Sequence, residues 1–213
     1  MVSSVTLVLV LVSSWPTQTA TTQLTLQADA ARVVERMRGI SMLRRAMPPS
    51  DGRIDSQEQR RADITHELHS LGDKAIAVLA RTLDDADVQM RRNAALLLID
   101  LGGGYSAEAK PKLNTQAAMP SLIGATQDPD HQVRAWAAHA LAEIGPAARP
   151  AVPALVRLLR DAEEGPRNTA CVALGRIGPG AADALPALRD ALNDASADVR
   201  GFAQRAIQKI QTK

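Results

Sequence analysis

Two histidines three residues apart, His66 and His69, stand beside Asp63 and Glu67. A spacing of three sets two side chains on one side of a helix, so this group could hold a metal ion. The same four residues serve equally well as a solvated helix face. Cys171 is the single cysteine and therefore forms no intramolecular disulfide. As a nucleophile it would need a histidine and an orienting group. Only His139, one repeat earlier and one position along, comes near it in register. Its counterparts in other repeats are Ala95 and Ala138, which marks position 171 as a place for a small side chain. The reading is of no catalytic residue, no metal site and no cofactor.

The most regular polar feature is a pair of columns. Asp85 and Arg91, Asp128 and Arg134, Asp161 and Arg167, and Asp194 and Arg200 keep one spacing, and Asp55 with Arg61 gives an earlier copy. A glycine follows each arginine at a fixed distance, at Gly72, Gly102, Gly145 and Gly178, and Gln211 replaces it in the last copy. The arginines at 61, 91, 134, 167 and 200 give periods of 30, 43, 33 and 33 residues. Self-similarity at such a period is the signature of a solenoid. An arginine repeated at every step can bridge to the aspartate of its own or the next hairpin, which would make a structural ladder. The other reading is an anion-binding stripe, but acids match bases nearly one for one.

Within a repeat, apolar residues stand one before the arginine and three, seven and ten after it: Val133, Ala137, Leu141 and Ile144, or Val199, Ala203, Ile207 and Ile210. At about 100° per residue these share a face, which predicts an amphipathic helix ended by the glycine. A shorter apolar pattern lies upstream, Leu155, Leu158 and Leu159, echoed by Leu188, Ala191 and Leu192. Pro120, Pro153 and Pro186 occupy its start, where a missing N–H costs little. Two helices and a tight turn per repeat predict an all-α, right-handed α-solenoid of stacked helical hairpins.

The pattern Asp-x-x-x-x-Val-Arg followed by Ala-x-x-Ala-Leu-x-x-Ile-Gly, as at Asp128 to Gly145, resembles the short bacterial HEAT-like repeat. That repeat, of the HEAT/armadillo type, is also found in phycobilin lyase subunits. The resemblance runs from about residue 55 to 211. It implies the fold strongly and the function weakly, because such repeats serve scaffolds, adaptors and a few enzymes. His66-Glu67 is similar to the His-Glu pairs of deoxyhypusine hydroxylase, a HEAT-like di-iron enzyme. The corresponding pairs elsewhere are Leu96-Leu97, His139-Ala140, Val172-Ala173 and Arg205-Ala206, so that likeness fails at every other repeat.

The chain has 213 residues, 46% of them hydrophobic but only 2% aromatic, and a net charge of +2. Alanine and leucine must therefore fill the core. Neither a basic patch nor aromatics in number are present, which disfavours nucleic acid. Val5 to Val12 is an apolar run of eight residues, far short of the roughly twenty that span a bilayer. Residues 1–27 are read as a signal peptide or apolar tail, and export to the periplasm or medium is expected, with the cytoplasm as alternative. Residues 28–54 are read as a capping helix and linker, and 55–213 as the repeat domain. An insertion at 102–115 carries the single tyrosine. Gln204, Arg205, Gln208 and Lys209 replace smaller residues of earlier copies, as a C-terminal cap requires.

A repeat surface of this kind suits a non-catalytic scaffold or adaptor that binds a protein on the concave, second-helix face. The residues expected there are Arg92, Leu96, Ala135, His139, Glu143, Asn168, Val172 and Arg176. Ala138 is expected to face outward with them, and Trp136, Thr169 and Phe202 to flank the core. The alternative is an enzyme or enzyme subunit of the bilin-lyase type. The partner and the oligomeric state are not written in the sequence.

Overall fold

The structure is a computed structural model that describes residues 56–103 and 113–212, together with Val34 and Met37. The segment expected to direct export, most of the capping segment at 28–54 and positions 104–112 of the insertion lie outside the described residues. The described chain is helical throughout, without a strand. Its α-helices are α1 (Ser56–Leu71), α2 (Asp73–Thr82), α3 (Val88–Leu101), α4 (Met119–Ala125), α5 (His131–Ile144), α6 (Val152–Leu158), α7 (Glu164–Ile177), α8 (Leu185–Asp190) and α9 (Ala197–Gln211). None of these helices is long and apolar enough to cross a membrane.

Helices pair as hairpins, α2 with α3, α4 with α5, α6 with α7 and α8 with α9. The first helix of each later hairpin is short. Pro120, Pro153 and Pro186 sit in its first turn, and a 3-10 turn leads into it, as at Gly145–Ala151 and Gly178–Ala184. Three of the four second helices in the hairpins open on side-chain caps: Asp87 accepts from the Gln89 amide at 2.8 Å, Asp130 from Val133 at 3.1 Å, and Ser196 from Asp198 at 3.2 Å, whereas Glu163 before α7 makes none. Each cap satisfies one of the N–H groups that a helix start leaves without a partner.

The closing glycines follow one geometry with a single departure. Gly72, Gly145 and Gly178 share φ of 56–69° with ψ between −129° and −140°, a region that L side chains rarely adopt. Gly102 instead stays right-handed at φ −72°, and Gly103 takes the positive φ of 94°. The shift falls where the insertion begins, at the one of these glycines that neither an α-helix nor a 3-10 turn follows directly. The Leu113 amide donates to the Leu101 carbonyl at 2.9 Å. Gly102 is needed for another reason: a Cβ there would lie 3.1 Å from the Cβ of Glu143 on α5.

The second helices α3, α5, α7 and α9 stack side by side, and theirs are the most extensive helix–helix contacts among the described residues. Alanine makes it possible. Ala94, Ala95, Ala137, Ala138, Ala140, Ala142, Ala170, Ala173, Ala203 and Ala206 are all buried. A Cβ on Gly175 would meet the Ala206 Cα at 3.1 Å, so α7 and α9 approach almost backbone to backbone. This corrects part of the outward face expected from helical angle. Ala138 is fully buried and Leu96 is only 6% exposed. A second helix touches its own first helix and a second helix on each side, so its buried arc is wider than one amphipathic stripe.

The two ends differ from the middle. Met37 is helical and fully buried in the core, and its carbonyl accepts from Asn93 Nδ2 on α3 at 3.0 Å. At the far end Gln204, Arg205, Gln208 and Lys209 are all exposed. Leu192, expected among the core leucines, is 38% exposed, whereas its counterpart Leu159 is 5%. Among the described residues no repeat lies behind Leu192 to cover it.

Candidate functional site

The ladder arginines project from the starts of the second helices and reach to the next repeat. Arg91 donates from Nε and the second amino group to Asp128, at 2.6 and 3.1 Å. Arg134 holds Asp161 at 2.7 and 2.8 Å, and Arg167 holds Asp194 at 2.8 and 3.0 Å. The remaining amino group points back into the arginine's own turn. Arg91 donates there to the carbonyls of Asp85 and Ala86, Arg134 to Asp128 and Pro129, and Arg167 to Asp161 and Ala162. Each aspartate also accepts the amide two residues ahead, Asp128 from Asp130 and Asp161 from Glu163. One guanidinium thus ties two repeats and fills turn carbonyls that no helix satisfies, a use of the planar fork that lysine could not copy.

Asp85 accepts the Asp87 amide at 2.9 Å, and the last rung departs from the pattern. Arg200 reaches its own turn carbonyls, Asp194 and Ala195, at 2.7 and 3.0 Å, and holds no aspartate among the described residues. The internal aspartates respond to their arginines. Hydrogen bonding from Arg167 holds the Asp194 carboxyl below its usual value. Burial acts most strongly on Asp161 and pushes upward, yet the Arg134 hydrogen bond, the Glu163 amide and nearby cations leave it lowered.

A second set of polar contacts runs along the second helices, and several residues expected on the binding face belong to it. Arg92 grips Asp130 with two bonds, at 2.9 and 2.5 Å. Those bonds, more than any other influence, bring the Asp130 carboxyl down to about 2. Glu143 accepts from Arg176 at 2.5 Å and lies 3.5 Å from His139, with a side chain only 5% exposed. Asn168 donates to Glu164 at 3.3 Å, and Glu164 in turn accepts from Ser196 Oγ at 2.8 Å. Sequence reasoning missed Asp130, Glu164 and Ser196. Asp130 and Ser196 stand two residues after the ladder aspartates, where they also cap helices, and that position was the available signal. Ala135 and Val172 are half-buried between these pairs, and Arg176 is exposed.

The chemistry-bearing candidates fall elsewhere. Cys171 is fully buried, and burial first of all pushes its thiol up to about 12. A thiol so far from ionising makes a poor nucleophile. His69 Nδ1 bonds the Thr65 carbonyl at 2.7 Å while His66 is exposed. Among the described residues no group of three or more His, Cys, Asp or Glu could hold a metal. Trp136, Thr169 and Phe202 are half-buried, and Arg205 lies over the Phe202 ring at 4.5 Å.

Residues 119–208 match the family described as HEAT repeats. No curated protein sequence matches the chain. Among solved structures, the complex of CpcE and CpcF of phycocyanin lyase from Nostoc sp. PCC7120 is 26% identical with a TM-score of 0.56. That alignment covers 75% of this chain and 62% of the other, so this chain spans less than two thirds of its length. An engineered protein at 22% identity and a TM-score of 0.57 covers 87% of this chain and 83% of its own. Computationally designed armadillo repeat proteins for modular peptide recognition, at 21% identity and 0.56, cover 89% of this chain and 93% of their own. These last two show the fold alone. Residues 119–208 thus match HEAT repeats, and the same repeat register and stacked hairpins run through the described residues on either side of that stretch.

Proposed function

We propose that the protein is a non-catalytic scaffold that binds a protein partner on the face formed by its second helices. One observation carries this reading. Along α3, α5, α7 and α9, the polar residues of that face are tied from repeat to repeat, Arg92 to Asp130 and Glu143 to Arg176. A face cross-linked in this way is already rigid, so a partner would bind it at little ordering cost. Between the tied pairs, half-exposed Ala135, His139 and Val172 offer small apolar and polar contact. Leu96 and Asn168 contribute less than expected. Leu96 is covered, and the Asn168 amide is turned to Glu164.

Ala135→Glu and Val172→Glu test the surface. Both should keep the melting temperature within a few degrees, because the new carboxylates can reach water, and both should abolish recovery of the partner found with the wild-type protein in native extract. Retention of that partner by both folded variants would remove the second-helix face as the site. A second reading, a subunit of a bilin-lyase type enzyme, is favoured by the likeness to the phycocyanin lyase complex. It would make the partner a second repeat protein, and bilin transfer by the reconstituted pair would establish it.

A further inference from the structure

The ladder supplies its own template for what Arg200 should hold. Arg91, Arg134 and Arg167 each use one amino group on two turn carbonyls and the rest of the fork on an aspartate. Arg200 repeats the first half of that geometry, at 2.7 and 3.0 Å from the Asp194 and Ala195 carbonyls. Among the described residues nothing takes its Nε or its other amino group. The guanidinium is thus fixed by backbone and presents an empty, carboxylate-shaped fork. Two residues before Asp194, whose carbonyl Arg200 holds, stands the exposed Leu192, whose counterpart Leu159 is covered.

The α9 flank says what kind of occupant fits. Gln204, Arg205 and Gln208 are exposed there, unlike the Ala206 and Gly175 through which α9 meets α7. The second-helix layer is closed by polar side chains, while the turn edge at Arg200 and Leu192 stays open. We propose that Arg200 and Leu192 form a docking site for a partner polypeptide presenting an aspartate at a helix-opening turn, with an apolar residue two positions before it. The internal rungs fix that chemistry. In each of the last two, the held aspartate accepts the amide two residues on and follows a leucine by two positions, Leu159 before Asp161 and Leu192 before Asp194. Charge complementarity selects the carboxylate, and the pre-set fork lowers the ordering cost of binding it. This site is separate from the second-helix face and stands or falls independently of it.

The probe is a capped peptide with the sequence of residues 152–165, the segment Arg134 grips through Asp161. It is titrated into the full chain while the arginine Nε–H signals are followed by NMR. The Arg200 signal should move saturably while those of Arg91, Arg134 and Arg167 hold still. Arg200→Lys should weaken binding at least tenfold, because an ammonium cannot form the bidentate pair. The same peptide carrying Asp161→Asn should lose binding to the same extent, and that variant leaves the protein's folding untouched. An unmoved Arg200 signal up to about 1 mM peptide, a range that still detects weak complexes, overturns the proposal. So does equal binding of the asparagine peptide. Sedimentation of the chain alone is the remaining measurement: a monomer is expected, whereas a dimer abolished by Arg200→Lys would make the occupant a second copy of this chain and overturn the assignment to a separate partner.

Discussion

Arg134→Ala is expected to lower the stability of the protein by about 3 kcal/mol, the low end for breaking a buried ion pair. The low end applies because the pair lies near the surface, with side chains 16% and 9% exposed. Removing the guanidinium strips Asp161 of both its strong donors and leaves two turn carbonyls, Asp128 and Pro129, without their partner. The loss falls between two repeats in the middle of the stack, where nearest-neighbour coupling holds the halves together. Arg134→Lys should recover only part of it, since one ammonium replaces a fork. Arg200→Ala is the internal comparison. It loses two bonds to turn carbonyls and no ion pair, so about 1 kcal/mol is expected. Urea unfolding of the three variants at neutral pH checks the order. Equal losses at positions 134 and 200 would mean that the aspartate contributes nothing.

Acid should dismantle the stack through the same carboxylates. Asp130 is held down to about 2 by Arg92 before all else, and Asp161 and Asp194 are also lowered. A carboxyl whose folded pKa lies below its unfolded one adds stability that is complete above the unfolded value, near 4, and is lost as the pH falls through the folded value. The window set by Asp130 therefore runs from about pH 4 down to about pH 2. The urea midpoint should be steady from about pH 7 to about pH 5, then fall steeply across that window. Asp130→Asn should begin from a lower midpoint and fall less steeply, because its share of the pH dependence is gone. A wild-type midpoint that does not change between about pH 5 and about pH 2 would contradict the assignment of these shifts.

Spacing alone made the repeat legible, because the aspartate, arginine and glycine columns are local and each repeat must solve the same turn. Gly72, Gly145 and Gly178 show why, since one backbone geometry recurs at all three. What spacing could not give was contact between repeats. The aspartate that Arg134 grips is Asp161, 27 residues away, and not the nearer Asp128, whose backbone carbonyl it takes instead. Ala138 and Leu96 were placed outward by helical angle, which knows one buried face. The neighbouring second helices bury a further flank. Arg92 with Asp130, and Glu143 with Arg176, needed the same knowledge of how far one repeat is displaced from the next. Leu192 looked like a core leucine because its repeat copies are core leucines, and position in the stack decides otherwise.

Arg91, Arg134 and Arg167 tie repeat to repeat instead of being kept for a ligand, and the rest of the stack depends on that. A double-mutant cycle on Arg134 and Asp161, with both single alanine variants and the double, measures it directly. The expected coupling is about 1.5 kcal/mol or more, with the double variant far less damaged than the two single losses would give together. A coupling within about 0.5 kcal/mol of zero, the range of independent sites, would contradict it and leave the columns free to act as an anion-binding stripe.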